Sequence, residues 1–306
     1  MTLVLMAQAA SVINFEEVKF AENGDRRLRF RAAQISPLDQ QIAAGFFPLS
    51  KPWPISLGTS GVGSDNEGRN YFVFAEGVGG GFASGGTHAS EYSFPENILY
   101  PLPDASKNSE IAASIISLAT AHSAFKDIAK ANPGDRVLVL GGNGSVGQSC
   151  ITVGLQLGLE MLIASREGTS YAGLPGIRYE ELESEGVKKL GGRAKIIIDP
   201  VGGDLSGVAM SIAGPDCIQV LPGFSAGALM PLLAPRFLGG EHQIVGFNLL
   251  RRSPEVIKQR IEESIADVYA GRFMPTIREL PFSNGVEGYR LASASKDRVV
   301  LVSEAL

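Results

Sequence analysis

The stretch Arg136-Val137-Leu138-Val139-Leu140-Gly141-Gly142-Asn143-Gly144-Ser145-Val146-Gly147 decides how this chain is read. Its first five residues are a short continuous apolar run, of the kind that a parallel sheet buries on both faces. Gly142, Gly144 and Gly147 then satisfy G-x-G-x-x-G, and Gly141 adds a G-x-x-G-x-x-G register. Alone, that spacing says little in a chain with 37 glycines. Its setting makes it specific: a buried strand before it, a helix expected from about 145 to 157 after it, and the strand Met161-Leu162-Ile163-Ala164 closing a βαβ unit. Glycines there permit a tight turn and let the backbone approach a pyrophosphate. The charge of that group meets the N–H groups and dipole of the helix N-terminus. A tight turn with no ligand is the bland alternative.

The end of the second strand selects the nucleotide. An Asp or Glu there would accept a hydrogen bond from a ribose 2′-hydroxyl and repel a 2′-phosphate. This chain places Ser165 and Arg166 there, a hydroxyl and a guanidinium able to grip phosphate in two places. That favours NADP(H). Glu167 is the alternative, serving a ribose if the strand ends later, with Arg166 then a solvated surface residue.

With 306 residues the chain has room for two domains, or for one large domain. Its 44% hydrophobic and 19% charged residues are those of an ordinary soluble protein. A net charge of −5 argues against a nucleic-acid partner, which would need a basic face. Cys150 and Cys217 are too few for a disulfide framework, and neither has a Cys or His at metal-ligand spacing. Both are expected to be buried thiols in a reducing compartment. The apolar start, Met1-Thr2-Leu3-Val4-Leu5-Met6-Ala7, has no basic flank and reads as a first strand rather than a signal peptide. The apolar run 111–121 is too short to cross a bilayer. The expectation is a soluble, cytoplasmic protein without nucleic-acid or membrane partners.

The first hundred residues read as β-rich, with Leu28-Arg29-Phe30-Arg31 and Tyr71-Phe72-Val73-Phe74 as strands and Gly77-Val78-Gly79-Gly80-Gly81 as a loop. Residues 109–130 are helical in pattern, and Asn132-Pro133-Gly134-Asp135 makes a turn. Ile196-Ile197-Ile198 and Ile218-Gln219-Val220-Leu221 read as further strands of the parallel sheet. Residues 254–269 have helical periodicity, and Arg298-Val299-Val300-Leu301-Val302 is a strand again.

Several segments, in order, match a known pattern. Arg31-Ala32-Ala33-Gln34-Ile35-Ser36-Pro37-Leu38-Asp39 looks like R-A-A-G-V-N-P-V-D, and Gly45-Phe46-Phe47-Pro48 like G-L-Y-P. Leu57-Gly58-Thr59-Ser60-Gly61-Val62-Gly63 follows P-G-S-E-G-A-G, with Glu91-Tyr92 and Pro101-Leu102-Pro103-Asp104 after it. Asp199-Pro200-Val201-Gly202-Gly203 looks like a D-x-V-G-G turn, Gly223-Phe224-Ser225-Ala226-Gly227 like G-x-x-S-G, and Asp297-Arg298-Val299-Val300-Leu301 like G-K-V-V-L. Together they resemble the medium-chain dehydrogenase/reductase superfamily, and within it the zinc-free quinone oxidoreductase group that includes zeta-crystallin.

The resemblance implies an α/β protein: a doubly wound Rossmann sheet domain over 108–274, inserted into a GroES-like β-rich catalytic domain of 1–107 and 275–306, with the active site in the cleft. It implies NADPH held by Thr120, Asn143, Gly144, Ser145, Val146, Ser165, Arg166, Tyr179, Gly223, Phe224, Ser225 and Phe247. Tyr179 would help to hold the 2′-phosphate, and Thr120 would lie near the nicotinamide. It also implies a homodimer, formed through the apolar stretch 212–246.

Departures from the pattern shape the chemistry. Ser36 and Thr59-Ser60 stand where zinc-dependent relatives carry a catalytic Cys and a G-H-E motif, so no metal is expected. Phe47 replaces a tyrosine that donates a proton in enoyl-thioester reductases. Most of the segment after the first domain's glycine turn is missing, as is part of the helix after Ser165-Arg166. Without a metal or a reactive cysteine, the cofactor must meet an already electrophilic substrate, a quinone or an α,β-unsaturated carbonyl. Ser36, Asp39, Phe47 and Thr120 are the candidates lining that site, with a structural turn carboxylate the favoured reading of Asp39. His88 is expected in an exposed loop near the cleft, incidental to catalysis or, as the alternative, a proton donor, with His122 and His242 capping or packing helices. The rivals are an enoyl-thioester reductase, for which Arg251-Arg252 would anchor a phosphopantetheine, and a catalytically silent NADPH-binding protein.

Overall fold

Alternating apolar and polar side chains build the N-terminal strands of the computed structural model, which describes residues 2–18, 26–46, 53–74 and 86–304. β1 (Thr2–Ala9) pairs antiparallel with β2 (Val12–Val18), whose inward Ile13 and Phe15 alternate with exposed Asn14 and Glu16. β3 (Arg26–Gln34) alternates likewise, burying Leu28 and Phe30 on either side of an exposed Arg29. The short helix α1 (Pro37–Ala43) follows, then β4 (Ile55–Ser56), β5 (Ser60–Ser64), β6 (Asn70–Phe74), β7 (Glu91–Phe94) and β8 (Leu99–Pro101). The glycine-rich stretch expected as a loop at 77–81 lies outside the described residues, as does Phe47.

Next come α2 (Asn108–Ser123), β9 (Arg136–Leu140), α3 (Ser145–Gln156), β10 (Glu160–Ser165), β11 (Gly176–Arg178) and α4 (Leu182–Leu190). β12 (Ala194–Ile198), α5 (Asp204–Ala209), β13 (Ala213–Leu221), α6 (Ala234–Gly239) and β14 (Gln243–Gly246) complete the central region. The chain ends with α7 (Pro254–Tyr269), β15 (Ile277–Pro281), α8 (Gly285–Ala292) and β16 (Arg298–Val302). Two compact units result, Met1–Ile116 with Ile261–Leu306, and Ser117–Arg260.

In the first unit, β2-β1-β4 make a small sheet, and β15-β16-β3-β5-β6-β8 make a larger mixed one to which β7 adds by pairing with β3. The tail strand β16 lies antiparallel to β3, so the two ends of the chain share one sheet. Leu5, Leu28, Ile35, Ile42, Leu57, Tyr92 and Leu301 are buried together in its core.

The second unit is a six-stranded sheet in the order β11-β10-β9-β12-β13-β14, with every pair parallel. Parallel neighbours need crossovers, and here strand order reverses between β9 and β12, the topological switch point of a doubly wound fold. The continuous apolar runs explain the interior strands: Val137 to Leu140 and Ile196 to Ile198 are all buried. One crossover is unusual. Residues 166–175, between β10 and β11, contain no helix.

The helical pattern at 109–130 resolves into two pieces. α2 gives way to a π-helical turn, Ala124–Ala129, which Lys130 closes at φ 51°. The wide turn brings Asp127 to Arg260 of α7 in a two-pronged ion pair of 2.6 and 3.0 Å. Burial opposes the Asp127 charge, but Arg260, the Ser123 hydroxyl and the Lys130 charge together hold the carboxyl below its ordinary value. Arg260 is only 8% exposed at its side chain, so losing its partner leaves a nearly buried cation. Asp127→Ala should therefore cost about 3 kcal/mol, read from the shift of a urea unfolding midpoint.

Candidate functional site

The glycine loop leaves β9 through Gly141, at φ +65°, a left-handed conformation that suits glycine. Its N–H reaches the Ala164 carbonyl at 2.9 Å, which ties the turn to β10. A Cβ on Gly142 would stand 2.0 Å from Ile163 Cγ2, and one on Gly147 would stand 2.2 Å from the Gly141 carbonyl oxygen. Glycine at those two positions is what lets α3 start hard against the turn. Gly144 is the N-cap of α3 and offers no side-chain oxygen to the helix. The first turn therefore presents backbone N–H groups to whatever lies outside, the arrangement that receives a phosphate.

The ends of β10 and β11 lie beside this loop. Ser165 closes β10 and is 3% exposed, and its hydroxyl has no protein partner. A buried hydroxyl without a partner is rare in folded proteins. Arg166 follows it and is exposed. Tyr179, directly after β11, accepts a hydrogen bond from the Gly141 N–H at 3.1 Å. Burial raises its phenol above the ordinary value, against the Gly141 bond and the nearby Arg166 charge. Three residues singled out from sequence thus meet at one corner of the loop.

Arg178 joins them, and linear reading missed it. Strand register sets it opposite Ser165, with its exposed guanidinium 3.2 Å from Glu181 and 3.3 Å from Glu180. Only pairing between strands reveals that neighbour; the one local signal was an arginine directly before Tyr179.

On the other side of the switch point, β12 ends in Asp199, whose buried carboxylate is fully engaged. It accepts from the Val201 and Gly202 N–H groups at 3.0 and 2.8 Å, from Gln219 at 2.8 Å, and from the Ser206 hydroxyl. The turn it shapes grips the next loop: Ala226 N–H donates to the Val201 carbonyl at 2.7 Å, and the Ser225 hydroxyl donates to Pro200 at 3.3 Å. Gly223, Phe224 and Ser225 follow β13, with Phe224 41% exposed. Phe247 follows β14, buried, with Arg252 stacked 5.8 Å above its ring. Asn143, Gly144, Ser145 and Val146 span the loop and the first turn of α3. All these residues share the carboxyl edge of the sheet. Thr120 is elsewhere, buried on α2, three residues beyond Ser117, which receives the Ser149 hydroxyl of α3 at 2.8 Å.

In the first unit, Ser36 and Asp39 form the capping box of α1. The Ser36 hydroxyl takes the Asp39 N–H at 3.1 Å, and Asp39 takes the Ser36 N–H at 2.8 Å. The other Asp39 oxygen receives the Thr59 N–H at 2.8 Å, so this carboxylate fastens two loops. His88 is a correction: the sequence reading expected an exposed loop histidine, and the structure buries it fully. Its Nε2 lies 3.2 Å from the Gln34 carbonyl and its Nδ1 3.1 Å from the Tyr289 hydroxyl. A carbonyl can only accept, so Nε2 carries the proton and Nδ1 receives the Tyr289 hydroxyl. Cys150 and Cys217 are buried as expected, and burial pushes the Cys217 thiol up to about 12. Among the described residues no group of three His, Cys, Asp or Glu is placed to hold a metal ion.

No family model matches the chain. A zinc-type alcohol dehydrogenase-like protein of Schizosaccharomyces pombe is 27% identical over 189 residues, 60% of this chain and 56% of that protein. The mycoketide-CoA synthase of Mycobacterium tuberculosis is 25% identical over 257 residues, 78% of this chain but 6% of that protein. The mitochondrial enoyl-[acyl-carrier-protein] reductase of Xenopus tropicalis is 27% identical over 164 residues, 51% of this chain and 46% of that protein. The chain thus spans about half, or far less, of the curated relatives it matches. Solved structures cover it end to end. Escherichia coli quinone oxidoreductase, complexed with NADPH, superposes with a TM-score of 0.83 at 18% identity, over 99% of this chain and 100% of that one. The Thermus thermophilus quinone oxidoreductase gives 0.81 at 22%, over 98% and 99%. The chain therefore has the fold of these quinone oxidoreductases: a Rossmann sheet unit and a GroES-like β-rich unit.

The buried His88 carries a pH signature. Burial pushes its pKa below the ordinary 6.5, against the Asp39 charge and the Gln34 bond, and His242 is lowered in the same direction by burial. Well above pH 6.5 both folded and unfolded chains hold these rings neutral. As pH falls further, the unfolded chain takes up protons that the folded one refuses, and stability is lost. Urea midpoints should fall from pH 7.5 to pH 5.5, and His88→Asn should shrink that fall although it lowers stability at both pH values.

Proposed function

We propose that this chain is an NADPH-dependent oxidoreductase that reduces a quinone or an α,β-unsaturated carbonyl without zinc. One observation carries the reading: loop ends following all six parallel strands converge at the carboxyl edge of the sheet, across its switch point, with a glycine cradle at their centre. The same fold, in the Escherichia coli protein, was solved with NADPH. The residues fit the cofactor. The Cβ-free approach at Gly142 and Gly147 and the cap of α3 suit a pyrophosphate, and the unpartnered Ser165 hydroxyl, Arg166, Arg178 and Tyr179 suit a 2′-phosphate.

Bound there, NADPH would supply a hydride. The chain's part is binding and orientation. The α3 N-terminus meets the pyrophosphate, and the β10–β11 corner fixes the 2′-phosphate and disfavours NADH. The Asp199 turn holds the Gly223-Phe224-Ser225 loop, which would receive the nicotinamide end, and Phe247 and, from α2, Thr120 would complete the binding set. Ser36 and Thr59-Ser60 are hydroxyl residues where zinc enzymes need Cys, His and Glu, which supports zinc-free chemistry. The proposal assigns 1–107 with 275–306 to catalysis and 108–274 to the cofactor.

A second reading, reduction of an enoyl thioester, draws support from the mycobacterial synthase and the Xenopus reductase among the relatives. We place the protein in the cytoplasm; no described helix is long and apolar enough to cross a membrane. A homodimer is also part of the proposal. Among the described strands β14 lies at the end of the sheet, and Leu229, Leu232, Leu233 and Leu238 are exposed in the stretch before it.

NADPH oxidation measured with benzoquinone, a 2-alkenal and crotonyl thioester should show turnover with the first two and little with the third. Preference for the thioester would install the second reading, and tight NADPH binding without any turnover would make the chain a silent binder. Arg166→Gln should weaken NADPH about tenfold while leaving NADH nearly unchanged, as expected for one charge-assisted bond to phosphate. Light scattering should give twice the chain mass of 32.3 kDa; a single-chain mass at micromolar concentration overturns the dimer.

A further inference from the structure

The amino ends of the same sheet hold a second cluster of polar groups. Arg193 directly precedes β12, Ala213 begins β13, and His242 directly precedes β14. They line a depression of about 310 Å³ together with Met210, Ser211 and Arg236. That volume sits at the lower end of the roughly 300–1,000 Å³ of small-ligand sites. The five residues of β12 separate this end from the glycine-loop edge by about 17 Å.

The walls are cationic and prepared. Arg193 is anchored by Nη1 on the Ser211 and Ala213 carbonyls at 3.2 and 3.3 Å, which fixes the guanidinium at the rim. Arg236 enters from α6, with Glu183 as its ion-pair partner at 3.8 Å, too far for a hydrogen bond. Two residues of the lining each carry a buried polar atom without a protein partner: the Ser211 hydroxyl, and Nδ1 of His242, a residue 8% exposed whose ring packs edge-on to Phe237. Buried polar groups are ordinarily satisfied, so two orphans in one basic depression mark a place built for an absent acceptor. Asp216 is the acidic group whose charge bears on His242.

We propose that this depression is a second ligand site, taking the phosphate of a small phosphate monoester. Two guanidinium groups, an imidazole and a hydroxyl offer more donors than one carboxylate can use, and they match the three terminal oxygens of a phosphate. Met210, Pro215 and Pro235 line the remaining space, and an organic tail of a few carbons fits against them. The site is remote from the glycine loop and independent of what that loop binds.

The chain has three histidines, so imidazole NMR follows His242 individually once His242→Asn identifies its signal. Inorganic phosphate, glycerol 3-phosphate and glycerol are titrated into protein held in saturating NADPH, and again without it. The expected result is a saturable shift of the His242 signal with both phosphates, tighter for the ester, and none with glycerol. Arg193→Gln and Arg236→Gln should each weaken it about tenfold, whereas Arg166→Gln should leave it alone. Arg236 makes no close bond, so its variant reads the site even if Arg193→Gln perturbs the fold. A linear, unsaturable drift, a response abolished by NADPH, or one that neither arginine variant weakens overturns the site. Equal affinity for the ester and the inorganic ion overturns the monoester assignment.

Discussion

The contact between Gly147 and the Gly141 carbonyl governs the geometry of the second unit. Helix α3 begins so close to the turn leaving β9 that a single methyl at position 147 would sit 2.2 Å from that oxygen. The same economy holds at Gly142 against Ile163, which brings β10 under the loop. Because the Gly147 approach is backbone to backbone, no rotamer change can relieve an added carbon there. The helix dipole, the open first-turn N–H groups and the neighbouring strand end are all aimed by this one steric condition. Everything else at the carboxyl edge is arranged around it.

Two buried carboxylates hold the loops that the sheet does not. Asp199 gathers donors from its own turn, from α5 and from β13, and the turn so fixed carries the loop at 223–227 through main-chain bonds. Asp39 does the corresponding work in the first unit, joining the start of α1 to Thr59. Each satisfies local N–H groups that would otherwise be buried and unpaired. The cost of burying the charge is offset by several bonds, so removing the carboxylate would release two segments together.

Strong periodicity made much of the fold readable in advance. β9, β16 and α7 stand at the residues their patterns mark, because apolar runs in a two-sided sheet and a 3.6-residue stripe need no tertiary information. The helices α1 and α8 gave no such signal, being seven and eight residues long and dependent on caps and partners. β11 is three residues and exists only as a neighbour of β10. The π-turn after α2 carries Asp127, whose partner Arg260 lies 133 positions away in the chain. In the candidate site, Ser165, Arg166 and Tyr179 were legible from residue chemistry, whereas Arg178 required strand register. The burial of His88 was illegible for a similar reason. A Gly-Gly-Thr-His segment looks solvated until Tyr289, 201 residues away, closes on its ring.

The helix-free crossover between β10 and β11 has a consequence for how a nucleotide would be told apart. In its place stand ten residues turned by Gly168, Ala172 and Gly173 at positive φ, with Arg166 and Arg178 exposed on either side. Charges in the open act across water, and at physiological salt their reach is about 8 Å. Recognition built on them is therefore a property of the medium as much as of the protein. The pyrophosphate end, set in backbone, would keep its grip in brine, while the power to distinguish two dinucleotides would fade with every increment of salt.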